Sequence, residues 1–269
     1  MDTTTMTSTD HPQARGLPPR ARDVAVTWET DVRPRPRSVA IGSFDGVHVG
    51  HQQVIGGACT VLTFEPHPLR VLRPEAAPPL LTVLGRKAQR LAQLGVSEVV
   101  VIPFDRVWAE RDARSFIDEV LVARLGARHV SVGANFRFGA RGVGDPDLLL
   151  ADDRFSTTVV PLLGAGDDTS GEEVVSSTRI RRLVAEGEVE RAARLLQAPL
   201  TQPAHVDTDG RVSFDPILAV PTAGRYEVTA RGRRGTLCMG CPPVLRPASG
   251  APFPPGVVTV TFMRRLTSH

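Results

Sequence analysis

Lysine is nearly absent from this chain: of 32 basic residues, Lys87 alone is not an arginine. The arginines are dispersed rather than gathered into a stripe, so their abundance reads as composition before function. Three cysteines (Cys59, Cys238 and Cys241) are too few for a disulfide framework and agree with a reducing compartment. Aromatic residues total 5%, and no basic run is interleaved with them, which argues against a nucleic-acid partner. No apolar run approaches the ~20 residues that cross a bilayer, and the first residues hold no apolar secretion segment. The expectation is no membrane partner and a cytoplasmic location. There is no internal repeat. Cys238-x-x-Cys241 lacks the second cysteine or histidine pair that zinc requires, and the βαβ setting of a redox pair, so it reads as a turn with structural cysteines.

What is present is a globular composition, 41% hydrophobic and 23% charged, on 269 residues with a formal charge of +3. That length supports one large or two smaller domains. Residues 1–37 are rich in Thr, Pro, Arg and Asp and read as a largely flexible tail, with a possible short strand at 23–28. From residue 38 to 200, short apolar runs alternate with amphipathic segments. Strands are expected at 38–42, 59–64, 98–102, 129–132 and 157–161. Helices are expected at 48–55, 84–94, 113–125, 146–151, 178–186 and 189–196. This alternation predicts an α/β fold with a mainly parallel sheet. Residues 201–269 are crowded with proline and glycine, with strands expected at 212–214, 225–230 and 257–262, and read as a small β-rich second domain.

The strongest local pattern is Gly42-Ser43-Phe44-Asp45-Gly46-Val47-His48-Val49-Gly50-His51. An apolar strand runs into a Gly-rich turn and a helix start, an arrangement that aims backbone N–H groups at phosphate. His48 and His51, three residues apart, share one helix face and can donate hydrogen bonds to phosphate oxygens and stabilise developing charge. A second pattern is Ser176-Ser177-Thr178-Arg179-Ile180-Arg181. Its hydroxyls suit a helix N-terminus and a phosphate alike, and Arg181 lies one turn in on the same side.

H-x-G-H in this setting resembles the nucleotidylyltransferase superfamily, whose members attack the α-phosphate of a nucleoside triphosphate and release pyrophosphate. Two further segments narrow the resemblance: Thr63-Phe64-Glu65-Pro66-His67-Pro68 and Gly133-Ala134-Asn135-Phe136-Arg137-Phe138-Gly139. With residues 176–200, they look like the bacterial FAD synthetases, usually bifunctional riboflavin kinase/FMN adenylyltransferases. The resemblance covers about residues 38–200. It implies a Rossmann-like nucleotidylyltransferase domain that joins FMN to the AMP half of ATP, giving FAD and pyrophosphate, with Mg²⁺ accompanying ATP. It implies ATP contacts from Gly42, Ser43, Phe44, Asp45, Gly46, His48, Gly50 and His51, and phosphate contacts from Ser177, Thr178 and Arg181. His48, His51 and Arg181 would serve the transition state. Phe64, Asn135 and Phe138, with His67 beside them, would line the FMN site; no residue is implied as a resident metal ligand.

Two departures from the family pattern stand out. Only residues 52–60 separate His51 from the next strand, so the helix there must be about two turns or less, closed by Gly56-Gly57. A full riboflavin kinase module is a longer barrel with a G-x-P-T-A-N motif and a later catalytic glutamate. Here Pro221-Thr222-Ala223-Gly224 is a partial echo and Glu227 is the only glutamate after residue 200. The segment therefore looks like a reduced kinase-like remnant. Another H-x-G-H adenylyl- or cytidylyltransferase would leave the Thr63 and Gly133 segments unexplained, and a non-catalytic nucleotide or flavin binder would leave the two histidines and Arg181 unused.

Overall fold

The central strands before Leu200 are buried at odd and even positions alike, whereas those after it alternate buried with more exposed residues. In the computed structural model, which describes residues 24–164 and 174–267, this difference produces two sheets. The first holds β1 (Ala25–Trp28), β2 (Arg37–Ile41), β3 (Thr60–Glu65), β4 (Glu98–Pro103), β5 (Ala127–Gly133) and β6 (Ser156–Val160) in the order β1-β4-β3-β2-β5-β6. Every pairing in it is parallel. Strands buried on both faces need apolar side chains at odd and even positions alike, and β4 carries Val99 to Ile102 without a break.

Helices α1 (Val49–Ile55), α2 (Pro68–Leu72), α3 (Leu84–Gln93), α4 (Arg106–Ala109), α5 (Ala113–Ser115, continued by Phe116–Arg124), α6 (Pro146–Leu150), α7 (Ser177–Ala185) and α8 (Val189–Leu196) follow in chain order. The continuation of α5 is wound more widely, with the Leu125 N–H bonded to the carbonyl five residues back. Side chains alternate across the sheet: Ala40, Val61 and Val99 pack with α1 and α3, while Ile41, Leu62 and Val100 pack with α5. The shortened α1 is the two turns that the spacing required, and it ends on Gly56. Val54, Ile55 and Ala58 still close that face.

The N-terminal expectation needs correction. Residues 1–23 lie outside the described residues; the short strand expected at 23–28 is present as Ala25–Trp28, and 29–36 lead from it through one 3-10 turn to β2 rather than forming a tail. β1 extends the sheet beside β4. Arg37 is buried, and its guanidinium grips Glu98 at 2.8 and 3.0 Å while also donating to the Leu125 carbonyl. That bidentate pair holds the Glu98 carboxyl below its ordinary pKa and sits at the N-terminal ends of the strands, opposite the site described below. A Pro- and Arg-rich composition concealed it, because the partner is 61 residues away.

The second sheet is antiparallel, with β7 (Thr201–Val206), β8 (Val212–Ser213), β9 (Gly224–Ala230), β10 (Arg233–Met239), β11 (Val244–Pro247) and β12 (Gly256–Leu266) in the order β11-β10-β9-β12-β7-β8. Its ends nearly meet, because the Val212 N–H donates to the Pro243 carbonyl at 2.8 Å. Alternate residues such as Tyr226, Val228, Leu237, Val260 and Phe262 fill its interior against α7 and α8. Three of these strands, β7, β10 and β11, are absent from the sequence reading. Pro203 disguises β7, and the glycines and prolines around β10 and β11 resemble loop. Gln202 ties the two sheets together by donating to the carbonyls of Leu80 and Ala219 at 3.1 and 2.9 Å.

Candidate active site

In the parallel sheet the chain runs from β2 outward to β3 and β4, then returns to the other side of β2 as β5. Beyond the carboxyl ends of strands, such a reversal leaves a crevice where ligands of open α/β sheets bind. Here the crevice is a cavity of about 350 Å³. Gly42, Ser43, Phe44, His48, Gly50 and His51 line it from the turn after β2. Asn135 lines it from the segment after β5, and Ser176, Ser177 and Thr178 from the start of α7. The two strongest sequence patterns, more than 120 residues apart, thus face one space.

The turn is held in an unusual shape. Phe44 and Val47 adopt positive φ (47° and 44°), as does Gly46 (88°). A side chain at Gly46 would also meet Leu196 and Leu81 at about 3 Å. Its carbonyls are anchored from three elements, α7, α3 and β3. The Asp45 carbonyl accepts from Ser177 Oγ at 2.9 Å. The Ser43 carbonyl accepts from Lys87 Nζ at 2.7 Å and Thr63 Oγ1 at 3.2 Å. Arg90 donates to the carbonyls of Val47 and Leu196.

His48 is the N-cap of α1, and its Nδ1 accepts the His51 N–H at 3.3 Å. Accepting at Nδ1 puts the proton of a neutral ring on Nε2. The two imidazoles stack at 3.6 Å with a 17° interplanar angle. Burial lowers the His48 pKa to about 4, with Asp45 opposing and Arg181 and Arg90 reinforcing the shift. Burial, then His48, Lys87 and Arg181, push His51 in the same direction. Both rings are therefore neutral N–H donors at pH 7 in the free protein, not cations. His51 Nδ1 is buried without a hydrogen-bond partner in the free protein.

Three residues of the expected nucleotide site stand behind the cavity rather than in its lining: Asp45, Gly46 and Arg181. The Asp45 carboxylate is buried and accepts from Leu81 N–H at 3.1 Å, Thr82 N–H at 2.9 Å and Arg181 Nη2 at 2.6 Å. Arg181 also donates to the Pro79 carbonyl at 2.7 Å. Together they lock α7 and residues 79–82 onto the turn. Among the described residues no three His, Cys, Asp or Glu gather into a metal-binding cluster.

A second cavity, about 250 Å³ and mostly apolar, opens beside Phe64 and Phe138. Phe104, Trp108 and Phe116 complete its aromatic wall. Phe138 packs on Phe116 at 5.3 Å and Phe136 at 5.5 Å, and Phe64 meets Phe104 edge-on at 5.8 Å. Arg137 lines both cavities. Of the residues expected together at the flavin, Phe64 and Phe138 share this cavity, while Asn135 lines the first one. His67 lines neither: it caps α2, with Nδ1 accepting the Leu69 N–H, and burial lowers its pKa. Lys87, Phe104, Trp108 and Arg137 were given no role by the sequence reading. Phe104 directly follows β4, and that position at the end of a parallel strand was the available signal.

The FAD synthetase family model matches residues 31–179, more than half of the chain. The chain belongs to the FAD synthetase family. It is 38% identical over 203 residues to the bifunctional riboflavin kinase/FMN adenylyltransferase of Listeria monocytogenes, covering 69% of this chain and 60% of that one. The Bacillus subtilis protein of the same description is 34% identical over 218 residues, covering 71% and 66%. The chain thus spans at most 66% of the length of these two relatives. A crystal structure described as a macrolide-efflux protein from Streptococcus pneumoniae superposes with a TM-score of 0.78 over 91% of this chain and 92% of that one. At 22% identity, that likeness speaks for a shared fold alone.

Proposed function

We propose that this chain is an FMN adenylyltransferase, which joins FMN to ATP through attack of the FMN phosphate on the α-phosphate and releases pyrophosphate. The observation that carries this reading is the pair of adjoining cavities. One is polar and built from two phosphate-suited turns, the other is aromatic, and Arg137 lines both. ATP occupies the first, over Gly42–His51 and the start of α7. The isoalloxazine ring of FMN occupies the second, where Phe64 and Phe138 offer apolar ring contacts. Asn135 reaches the same junction from the nucleotide side. His67 keeps a place at its margin as the cap of α2.

The FMN phosphate is already an anionic nucleophile, so the chemistry needs no strong base. The protein supplies alignment for in-line attack and donors to the charge that develops as pyrophosphate leaves. His48 Nε2–H and the His51 ring are those donors. Neutral rings are suited to this, because they hydrogen-bond phosphate without a permanent charge that would hold the product. Arg181 contributes through the turn it locks. Mg²⁺ enters with ATP on the phosphate oxygens. Among the described residues that line the cavity none is a carboxylate, and Asp45 behind it is engaged by Arg181 and two N–H groups, so no described residue is proposed as a resident metal ligand.

Residues 38–200 form the Rossmann-like adenylyltransferase unit in this reading, and 201–269 a reduced kinase-like barrel. Glu227, its only glutamate, is engaged by Arg264 Nε at 2.6 Å and Arg234 at 3.6 Å, which disfavours a role as a kinase base. The cytoplasm, where FMN and ATP are available, is the proposed location; among the described residues no helix is long and apolar enough to cross a membrane. The test is incubation with ATP, Mg²⁺ and either FMN or riboflavin, with chromatographic resolution of the flavins. FAD from FMN alone is expected. In His51→Ala, FAD formation should fall by a factor of about 10² or more with an unchanged circular dichroism spectrum. Near-normal turnover in that variant would overturn the assignment of His51.

A further inference from the structure

Lys87 belongs to none of the motifs that marked the site. It projects from α3 beneath the Gly42–His51 turn and is 4% exposed. Its ammonium donates to the Ser43 carbonyl at 2.7 Å and lies 3.5 Å from Thr63 Oγ1. Thr63 Oγ1 donates to the same carbonyl. No salt bridge joins Lys87 to a carboxylate among the described residues. The acids whose charge reaches it are Asp45 and Glu65, while burial lowers its pKa, and Asp45 is already bound to Arg181. A buried cation in such a place is costly unless an anion completes its surroundings.

The backbone above it offers a place for such an anion. In a planar trans peptide the C=O and N–H point in opposite directions. The Ser43 carbonyl is drawn inward by Lys87 and Thr63, so the Phe44 N–H of the same peptide is turned outward. Ser43 and Phe44 both line the 350 Å³ cavity. Phe44 is held at φ 47°, a left-handed conformation that a non-glycine residue keeps only when its surroundings impose it. The positive charge of Lys87 also bears on His51 and helps keep that ring neutral.

We infer that Lys87 is a positioning residue, fixing the Ser43–Phe44 peptide so that its N–H faces the phosphates of a bound nucleoside triphosphate, whose charge compensates the buried ammonium. The inference rests on the reading of that cavity as the nucleotide site. It acts through the turn, and Lys87 itself does not touch substrate.

The absence of any other lysine makes the test direct, since protein grown with isotope-labelled lysine gives one side-chain resonance. That resonance should titrate below the ordinary lysine range in the free full-length protein, and both its shift and its titration should move upward when ATP with Mg²⁺ is added. In Lys87→Met, calorimetry should show ATP affinity reduced by about tenfold or more, while FMN affinity stays within about twofold, as expected for loss of one charged hydrogen bond to the turn. Thr63→Val, which removes a neutral donor to the same carbonyl, should weaken ATP in the same direction and by less. An unmoved lysine resonance at saturating ATP, or equal loss of ATP and FMN affinity in a folded Lys87→Met, overturns the inference alone. A wild-type chain that binds no ATP overturns the functional reading and the inference with it. Should Lys87→Met fail to fold, the wild-type titration decides by itself.

Discussion

Acidification is the perturbation whose effect on this fold can be worked most directly. His48 is buried, stacked on His51 and used as a helix cap, and its pKa falls from 6.5 to about 4. Above pH 6.5 the ring is neutral both folded and unfolded and adds no pH dependence. Below that value the unfolded chain takes up a proton that the folded chain refuses until about pH 4, so stability falls across the window and levels off beneath it. At about 1.4 kcal/mol per unit of pKa difference, the loss from His48 is about 3 kcal/mol. That is a large part of the ~5–15 kcal/mol that a folded protein has, and His51 is shifted in the same direction. The assay is urea unfolding between pH 7 and pH 4, on wild type and on His48→Asn, because asparagine retains a capping acceptor without titrating. Carboxylates titrate in both proteins and cancel in the difference. The variant should show a pH profile flatter by about 3 kcal/mol. Parallel profiles would refute the argument that the folded protein excludes the proton, and a stability that rises on acidification would refute its sign.

Three further outcomes follow from particular contacts. Asp45→Asn leaves Arg181 without its buried partner and should destabilise the fold by about 3 kcal/mol, read from the urea midpoint, with nucleotide affinity lost alongside. Gly139→Ala places a methyl 2.7 Å from the Ala113 backbone at φ 72°; it should lower the melting temperature and weaken FMN more than ATP, measured by flavin fluorescence and calorimetry. Phe138→Ala empties the wall between the aromatic cavity and the core of the sheet, and should cost about 3–5 kcal/mol while abolishing saturable FMN binding at concentrations that saturate wild type.

The parallel-sheet half was legible where its information is local. Continuous apolar runs can satisfy only strands covered on both faces, so β2 to β6 were readable to within a residue or two. The Gly42–His51 and Ser176–Arg181 patterns were readable because turn shape and capping depend on neighbours in sequence. The barrel was less so: Pro203 and the glycines around β10 hide strands whose pairing partners lie far along the chain. The strand at β1 was legible as a short run, but the role of Arg37 was hidden for the same reason, since Glu98, the residue it pairs with, is 61 positions away.

The sequence by itself therefore determined the chemistry-bearing turns, the parallel sheet that carries them and the length of α1, each a consequence of spacing within about ten residues. Only the tertiary structure decided what each side chain does. It turned Arg181 away from the cavity onto Asp45, kept two histidines neutral by burying them near cationic groups, and separated Asn135 from Phe64 and Phe138. It also gathered Phe104, Trp108 and Phe116 from separate segments into one wall, and brought the sole lysine beneath the turn. Burial and long-range charge are properties of the packed whole, and no local pattern encodes them.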